Sequence, residues 1–434
     1  MKPLLKSIFL VILPFTVNGL TQAQEAEPAA DEEVFEYNVG EVNYLTGEGF
    51  DIGGFIFPEL FLNATGGLLE PGTAATDLAT TEHDPQNEVG IQIIEVHLDI
   101  NFQDVITGAV YGAGFQGEDE WEANLEEAYL HYHLNDWIAI GGGQFLNAFG
   151  FQAEKHVHQW EFINQNLINS RMLNEGELIT QGGEAIIQLP NDSGELTIGG
   201  GGVRTHAHDH GHDEEDEHGH EDEDDHEIGH GHEEEEEHGH HDEEEEHHLE
   251  ADDANFRSWV ASADASFILP FDETATVSAS VATGENGFGR QTWAYGAGVE
   301  KIWGAHDHGN GPEFCLGAVM LRTEFIGRHI GIEDDEGDRF NANDYGFSTA
   351  LFYGLTDTTT VSIRHDWVSD LYELELEDRH RISPAVTTFL DKGQRVQARL
   401  QYDYNHSDSF GSEHAAWLQF QIQWGGHGGH HHHH

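Results

Sequence analysis

The sequence predicts an all-β fold, a transmembrane antiparallel β-barrel of about 16 strands with long extracellular loops. Three observations predict it. Segments near ten residues long alternate strictly between apolar and polar side chains. The connectors between them are short and long by turns. An export signal opens a chain in which no later segment is apolar and long enough to span a membrane as a helix.

The export signal comes first. Met1 to Lys6 form a cationic start, Ser7 to Val17 an apolar run, and Thr21-Gln22-Ala23 a small-residue cleavage pattern, so 1–23 reads as a secretory signal peptide. The alternative, a membrane anchor, fits less well. The run is about half the ~20 residues a helix needs to cross, and Pro14 interrupts it. Residues 24–50, acidic and then mixed, read as an N-terminal periplasmic segment, and 51–424 as the barrel.

Alternation defines the strands. Ile94, Val96, Leu98, Ile100 and Phe102 share one parity, and Glu95, His97, Asp99 and Asn101 the other. Val396, Ala398, Leu400, Tyr402 and Tyr404 likewise oppose Arg395, Gln397, Arg399, Gln401 and Asp403. Near the C-terminus Ala416, Leu418, Phe420, Ile422 and Trp424 oppose Trp417, Gln419, Gln421 and Gln423. A period of two with one apolar face describes any half-buried strand, including one in a soluble sandwich. The polar face separates the two cases. Charges of both signs on one parity suit a water-filled lumen, with the apolar parity toward lipid.

On this basis strands are expected at 53–64, 92–102, 105–115, 123–135, 138–147, 183–190, 195–204 and 256–268. The second half adds 275–283, 291–303, 313–327, 345–353, 359–368, 380–390, 394–404 and 413–424. Tight turns at Asn135-Asp136, Asn191 to Gly194, Phe271 to Glu273, Gly354 to Asp357 and Asp391 to Gly393 alternate with long links at 148–182, 205–255, 284–290, 328–344 and 369–379. Short periplasmic turns opposite long extracellular loops are the expected asymmetry of such barrels. The link at 304–312 is long for the short-turn side. Trp424 would seat the last strand at the interfacial aromatic girdle.

Charge limits the partners. Seventeen Lys and Arg against 82 Asp and Glu give a formal net charge of −65, which repels nucleic acid and attracts cations. The single cysteine, Cys315, excludes an intramolecular disulfide framework. Outer-membrane lipid and divalent metal ions are the expected partners, and a homo-oligomer is compatible with the fold.

The strongest chemical signal is 205–253, almost purely His, Asp, Glu and Gly, which reads as a disordered extracellular loop. Its histidines are His206, His208, His210, His212, His218, His220, His226, His230, His232, His238, His240, His241, His247 and His248. Imidazole binds Zn²⁺, Ni²⁺ and Cu²⁺, and carboxylates complete or balance the shell. The Gly between paired histidines lets both rings turn toward one ion. Many overlapping pairs make several weak, exchangeable sites, with zinc the first choice of bound or transported ion. The plain alternative is a solvated acidic bristle, but a bristle has no need of His. The Gly/His-rich tail at 425–434 holds His427 and His430 to His434, and reads either as a purification tag or as a native echo of the loop.

A link as long as 148–182 can fold into a lumen and narrow it. His156-Val157-His158, if extended, would point both rings to one side, with Trp160 nearby. The alternatives are a constriction site or a surface loop with its histidines packed on Trp160. Glu95, His97 and Asp99, with Glu127, His131 and His133 on a neighbouring strand, form a candidate lumen patch or routine polar lining. Arg364, Arg395 and Arg399 would form a basic wall facing it. No spacing suggests a catalytic nucleophile, so an enzyme is not expected.

Four runs carry a family resemblance: Leu125-Glu126-Glu127-Ala128-Tyr129, Gly143-Gln144-Phe145 with Phe149-Gly150, His156-Val157-His158-Gln159-Trp160, and Trp417-Leu418-Gln419-Phe420 through Trp424-Gly425-Gly426. Through them the chain resembles the phosphate-selective porin superfamily. Within it the likeness is closest to zinc-regulated, porin-like outer-membrane proteins often labelled TonB-dependent-type receptors. The resemblance implies a channel in a Gram-negative outer membrane, with the His-rich insert suggesting zinc handling. A TonB-dependent receptor carries a plug of roughly a hundred residues in a 22-stranded barrel. Only 24–50 precede the first strand here, so an unplugged porin-like channel is expected. The functional expectation is a channel that captures and passes divalent metal, zinc first, through the His/acid loop. Its alternatives are a metal-sequestering surface protein anchored by a barrel, and a general solute porin.

Overall fold

The computed structural model describes residues 45–47, 50–67, 83–85, 89–116, 121–204, 249–304, 315–334, 336–391, 394–408 and 411–425. The expected signal peptide, most of 24–50, the histidines from His206 to His248, and the tail beyond Gly425 lie outside the described residues.

Sixteen long strands form one closed antiparallel barrel. They are β1 Phe50–Gly67, β2 Val89–Phe102, β3 Ile106–Gln116, β4 Trp121–Asn135, β5 Ile138–Leu146, β6 Ile179–Gln188, β7 Gly194–Val203 and β8 Phe256–Leu269. Then follow β9 Asp272–Asn286, β10 Gln291–Trp303, β11 Val319–Glu333, β12 Arg339–Thr356, β13 Thr359–Val368, β14 Arg379–Phe389, β15 Val396–Ser407 and β16 Gly411–Ile422. Each strand pairs with the next, and β16 closes on β1 through Leu418↔Leu62 and its neighbours. Closure removes the free edges that would otherwise recruit other chains. A short strand at Leu45–Gly47 folds back on β1, and Trp424–Gly425 continues β16 along it.

The burial pattern is inverted relative to a soluble protein. On β2, Val96, Leu98 and Phe102 are exposed on the outer face, while Glu95 and His97 are buried inside. On β15, Leu400 and Tyr402 are exposed, while Arg399, Gln401 and Asp403 are buried. An apolar exterior around a polar interior is stable only in lipid, so the barrel sits in a Gram-negative outer membrane. No helix among the described residues is long and apolar enough to cross a membrane.

The expected strands all appear, with three corrections to their limits. The eleventh, expected at 313–327, runs at Val319–Glu333. Apolar residues at Cys315, Leu316 and Ala318 mimic a strand, but they form a turn in which Gly317 has φ +78° and donates to Gly354 O. Within the links 284–290 and 328–344, expected as long loops, 284–286, 328–333 and 339–344 are strand. They extend β9, β11 and β12 beyond their expected ends, leaving a turn at 287–290 and another where Asp334 N donates to Asp338 O at 3.1 Å. Finally, Leu249 to Asp253, expected at the end of the charged loop, are ordered. Ala251–Ala254 is a 3₁₀ turn whose Ala254 is buried with Ile330, Ile332, Leu371, Leu374 and Leu376, with Leu249 packed against that cluster.

The connector after β5 decides what the lumen is. It runs inward, and its apolar residues pack on four sectors of wall. Val157 and Trp160 meet Ile93, Ala113 and Phe115. Ile163 meets Phe61 and Trp417, and Phe162 meets Met320, Ala350, Phe352 and Ala385. Phe149, Leu167, Ile168, Met172 and Leu173 fill the remaining side against Phe256, Val260, Ile326 and Val368. Its short helix α1, Leu167–Met172, is capped by Asn166, whose Oδ1 accepts from Asn169 N at 2.8 Å. At its entry Gly150 has φ +68°, and a Cβ there would collide with Glu324 Oε1. The link expected to fold into the lumen and narrow it does so, and buried apolar surface on four sectors of wall holds it there.

Candidate cation site at the inward loop

The acidic half of the waist is built by β2, β3 and β4. Alternation places Glu95 and His97 inward on β2. On β4 the register to β3 slips between Tyr111↔Glu127 and Gly112↔Leu125, so Glu126 is an extra residue in a β-bulge. A bulge turns two successive side chains toward one face, and Glu126 and Glu127 are both buried.

The inward loop brings two histidines to this wall. His156 Nδ1 lies 2.9 Å from Glu126 Oε2, and its Nε2 lies 2.9 Å from Glu127 Oε2. Glu127 is fixed from behind by Leu146 N at 2.8 Å. His158 approaches Glu95 through Nδ1 at 3.2 Å and donates its backbone N–H to the same oxygen at 2.9 Å. Rings support the contacts. Tyr111 stacks on both His97 and His156, at 3.7 and 3.9 Å, and Phe57 stacks on His158 at 4.1 Å. Burial alone would lower the His156 imidazole, but hydrogen bonds and charge from Glu126 and Glu127 outweigh it and hold it well above its ordinary range.

His83, Glu126 and Glu177 form an adjoining group. His83 Nε2 is 3.2 Å from Glu126 Oε1 and 3.2 Å from Glu177 Oε1. Imidazole nitrogens and carboxylate oxygens at this spacing can hold a proton or a divalent ion of the zinc class.

The opposite half of the waist is arginine-rich, but its arginines are struts. Arg399 donates to Trp160 O at 2.7 Å and to Gln419 Oε1 at 2.9 Å. Arg364 donates to Asn164 O at 2.9 Å and pairs with Asp366 at 2.9 Å, and Arg381 donates to Gln165 O at 3.0 Å. They fasten the loop's backbone rather than forming an open basic wall.

The expected site residues therefore divide. Glu95, Glu127, His156 and His158 come together, with His97 joined through Tyr111 and Asp99 paired to His97 at 2.9 Å. Trp160 is buried beside them in a different contact, donating its indole N–H to Lys155 O at 2.9 Å. Its burial against the wall excludes a surface loop with histidines packed on Trp160. His131 and His133 face inward but lie apart, bonded to Glu184 at 2.6 Å and to Thr107 at 2.9 Å. Arg395 does not join the basic half. It precedes β15 in a turn, where Asp391 Oδ1 accepts from its backbone N at 2.9 Å. The His156–His158 segment is not extended either, since Val157–Gln159 is a 3₁₀ turn. Both rings still reach the wall, 6.0 Å apart and nearly parallel.

Sequence reasoning missed His83, Glu126, Glu177 and Tyr111. Glu126 stood in a recognised run, but strict alternation assigned it to the lipid face. His83 and Glu177 lie in connectors, where period carries no information.

No family model matches the chain, and no curated protein matches it. Solved structures do. The outer membrane channel DcaP of Acinetobacter baumannii has a TM-score of 0.52 at 10% identity, covering 86% of this chain and 97% of that one. The trimer form of OmpT of Vibrio cholerae gives 0.52 at 10% identity, covering 87% and 100%. An anion-selective porin from Comamonas acidovorans gives 0.50 at 8% identity, covering 86% and 99%. At such identities the likeness extends to the fold, and the chain has the fold of the outer-membrane porins.

Proposed function

We propose that the protein is a narrow outer-membrane channel that passes divalent metal cations of the zinc class, gathered first by the His/acid loop at 205–253. The observation that carries this reading is the uneven charge of the waist. Its arginines are engaged by loop carbonyls and by acids such as Asp366, whereas among the described residues Glu95, Glu126 and Glu127 on the other half pair only with histidines. Such a waist favours cations at close range, where water is scarce.

Size supports the same reading. The void beside the loop measures about 230 Å³ and is lined by His158, Trp160, Glu161 and Arg399 among others. A void of this volume has room for a hydrated ion. Nickel and copper share zinc's ligand preferences and are the alternative cargoes. A homo-oligomer is the assembly to look for, given the trimer form of the Vibrio outer membrane protein.

The test is reversal potential in planar bilayers under a salt gradient, followed by replacement of the cation with zinc. The reading expects cation preference and a measurable zinc current. Anion preference would overturn it in favour of a general solute porin, and absence of conductance in favour of a barrel that only anchors a metal-sequestering loop.

A further inference from the structure

We infer that Glu126 is the shared ligand of a buried, two-lobed divalent-metal site that braces the inward loop against the barrel wall. The inference rests on the channel reading only for its consequence in transport.

The first lobe is His83, Glu126 and Glu177; the second is Glu95, Glu126 and His156. Within each lobe the three ligand atoms lie within 4.8 Å of one another. A tetrahedral zinc with bonds near 2.0–2.1 Å separates its ligand atoms by roughly 3.3 Å. Both His83 contacts in the first lobe are already 3.2 Å. In the second, His156 Nδ1 is 2.9 Å from Glu126 Oε2 and 4.0 Å from Glu95 Oε1. Glu126 presents one oxygen to each lobe, as a bridging carboxylate does.

A second observation points independently to a ligand. Glu95 Oε1 has no hydrogen-bond donor although the residue is only 1% exposed, and the nearest partner of the buried Glu126 Oε1 is His83 Nε2 at 3.2 Å. Buried carboxylate oxygens are costly unless paired, and a cation between them removes that cost. Mixed imidazole and carboxylate donors select Zn²⁺, Ni²⁺ or Cu²⁺ over Ca²⁺ or Mg²⁺, which take oxygen shells. The ligands come from separate parts of the chain: residue 83, β2, the β4 bulge, and two points along the inward loop. An ion held there ties His156 and Glu177 to one wall and so fixes the loop's position across the waist.

The test uses the full chain in detergent, loaded with zinc and then challenged with a chelator while retained metal is counted. Solvated loop histidines exchange quickly, so the site predicts a slowly released fraction of roughly one zinc or more per chain. E126Q should abolish the slow fraction, and E177Q, which alters a connector rather than a strand, should reduce it. Heat-modifiable migration reports folding in each, and E177Q keeps the test valid if E126Q does not fold. Absence of a slow fraction in the wild type, or its persistence in both variants, would overturn the inference. Slow zinc without conductance would leave the site standing and remove the channel reading. Cation conductance without slow zinc would do the reverse.

Discussion

At the scale of single residues, one insertion in β4 changes which side chains can do chemistry. Alternation from Glu127 to His133 is regular and was legible, but the bulge at Glu126 is invisible to period, because an extra residue reverses the parity of everything before it. The contacts of His156 were likewise out of reach, since they join residues 30 positions apart across the lumen. Titration adds a consequence. In the same loop, burial and then the charges of Asp264 and Glu195 push the Glu154 carboxyl up to about 8, with Lys155 opposing and Glu127 adding to the rise. A group with a raised folded value favours the docked state while protonated. Its contribution is complete below the ordinary 4.5 and is lost as pH rises through about 8. The raised His156 acts with the same sign. Protease resistance of the inward loop should therefore fall as pH rises from 5 to 9. E154Q should flatten part of that fall, leaving the share that belongs to His156. An unchanged slope in E154Q would show that Glu154 does not titrate between the docked and free states.

At the scale of elements, strands were the most legible feature and connectors the least. Every expected strand overlaps an observed one, because lipid on one side and a polar interior on the other enforce the period of two along the whole wall. Limits slipped where that constraint ends: in the turn at Cys315 to Ala318, and in the hairpins that continue beyond their expected ends. The first strand hides a further lesson. Phe55, Phe57 and Phe61 face inward, where a water-filled lumen would want polar groups, and they are there because Phe57 and Phe61 receive His158 and Ile163 of the inward loop. The charged loop can now be bounded more closely. Leu249 and Ala251 pack against the Leu371–Leu376 cluster, so a removable segment ends at 248. Deleting 206–248 should leave membrane insertion and heat-modifiable migration unchanged, because that stretch is nearly devoid of apolar side chains. Extending the deletion through 254 should cost about 1.5–3 kcal/mol of apolar burial at Leu249 and its neighbours and so lower the unfolding temperature. Equal stability of the two deletions would contradict the anchoring role of Leu249 to Ala254.

At the scale of the whole molecule, the inside-out barrel sets the membrane location and the inward loop sets what can pass. Composition pointed to cations through the overall charge of −65, but an overall charge, 25 acids of it in the loop, does not say which groups line the lumen. The decisive asymmetry is internal: arginines bound to the loop on one half of the waist, and three glutamates facing histidines on the other. On this reading metal ions meet His156 and His158 inside the barrel rather than only at the surface. Single-channel recording of the wild type and of the H156A/H158A double variant, with and without zinc, tests it most directly. Zinc should alter wild-type conductance, and the double variant should lose this response while the external loop still loads metal. Identical zinc responses in the two proteins would contradict it, and would confine metal handling to the external loop.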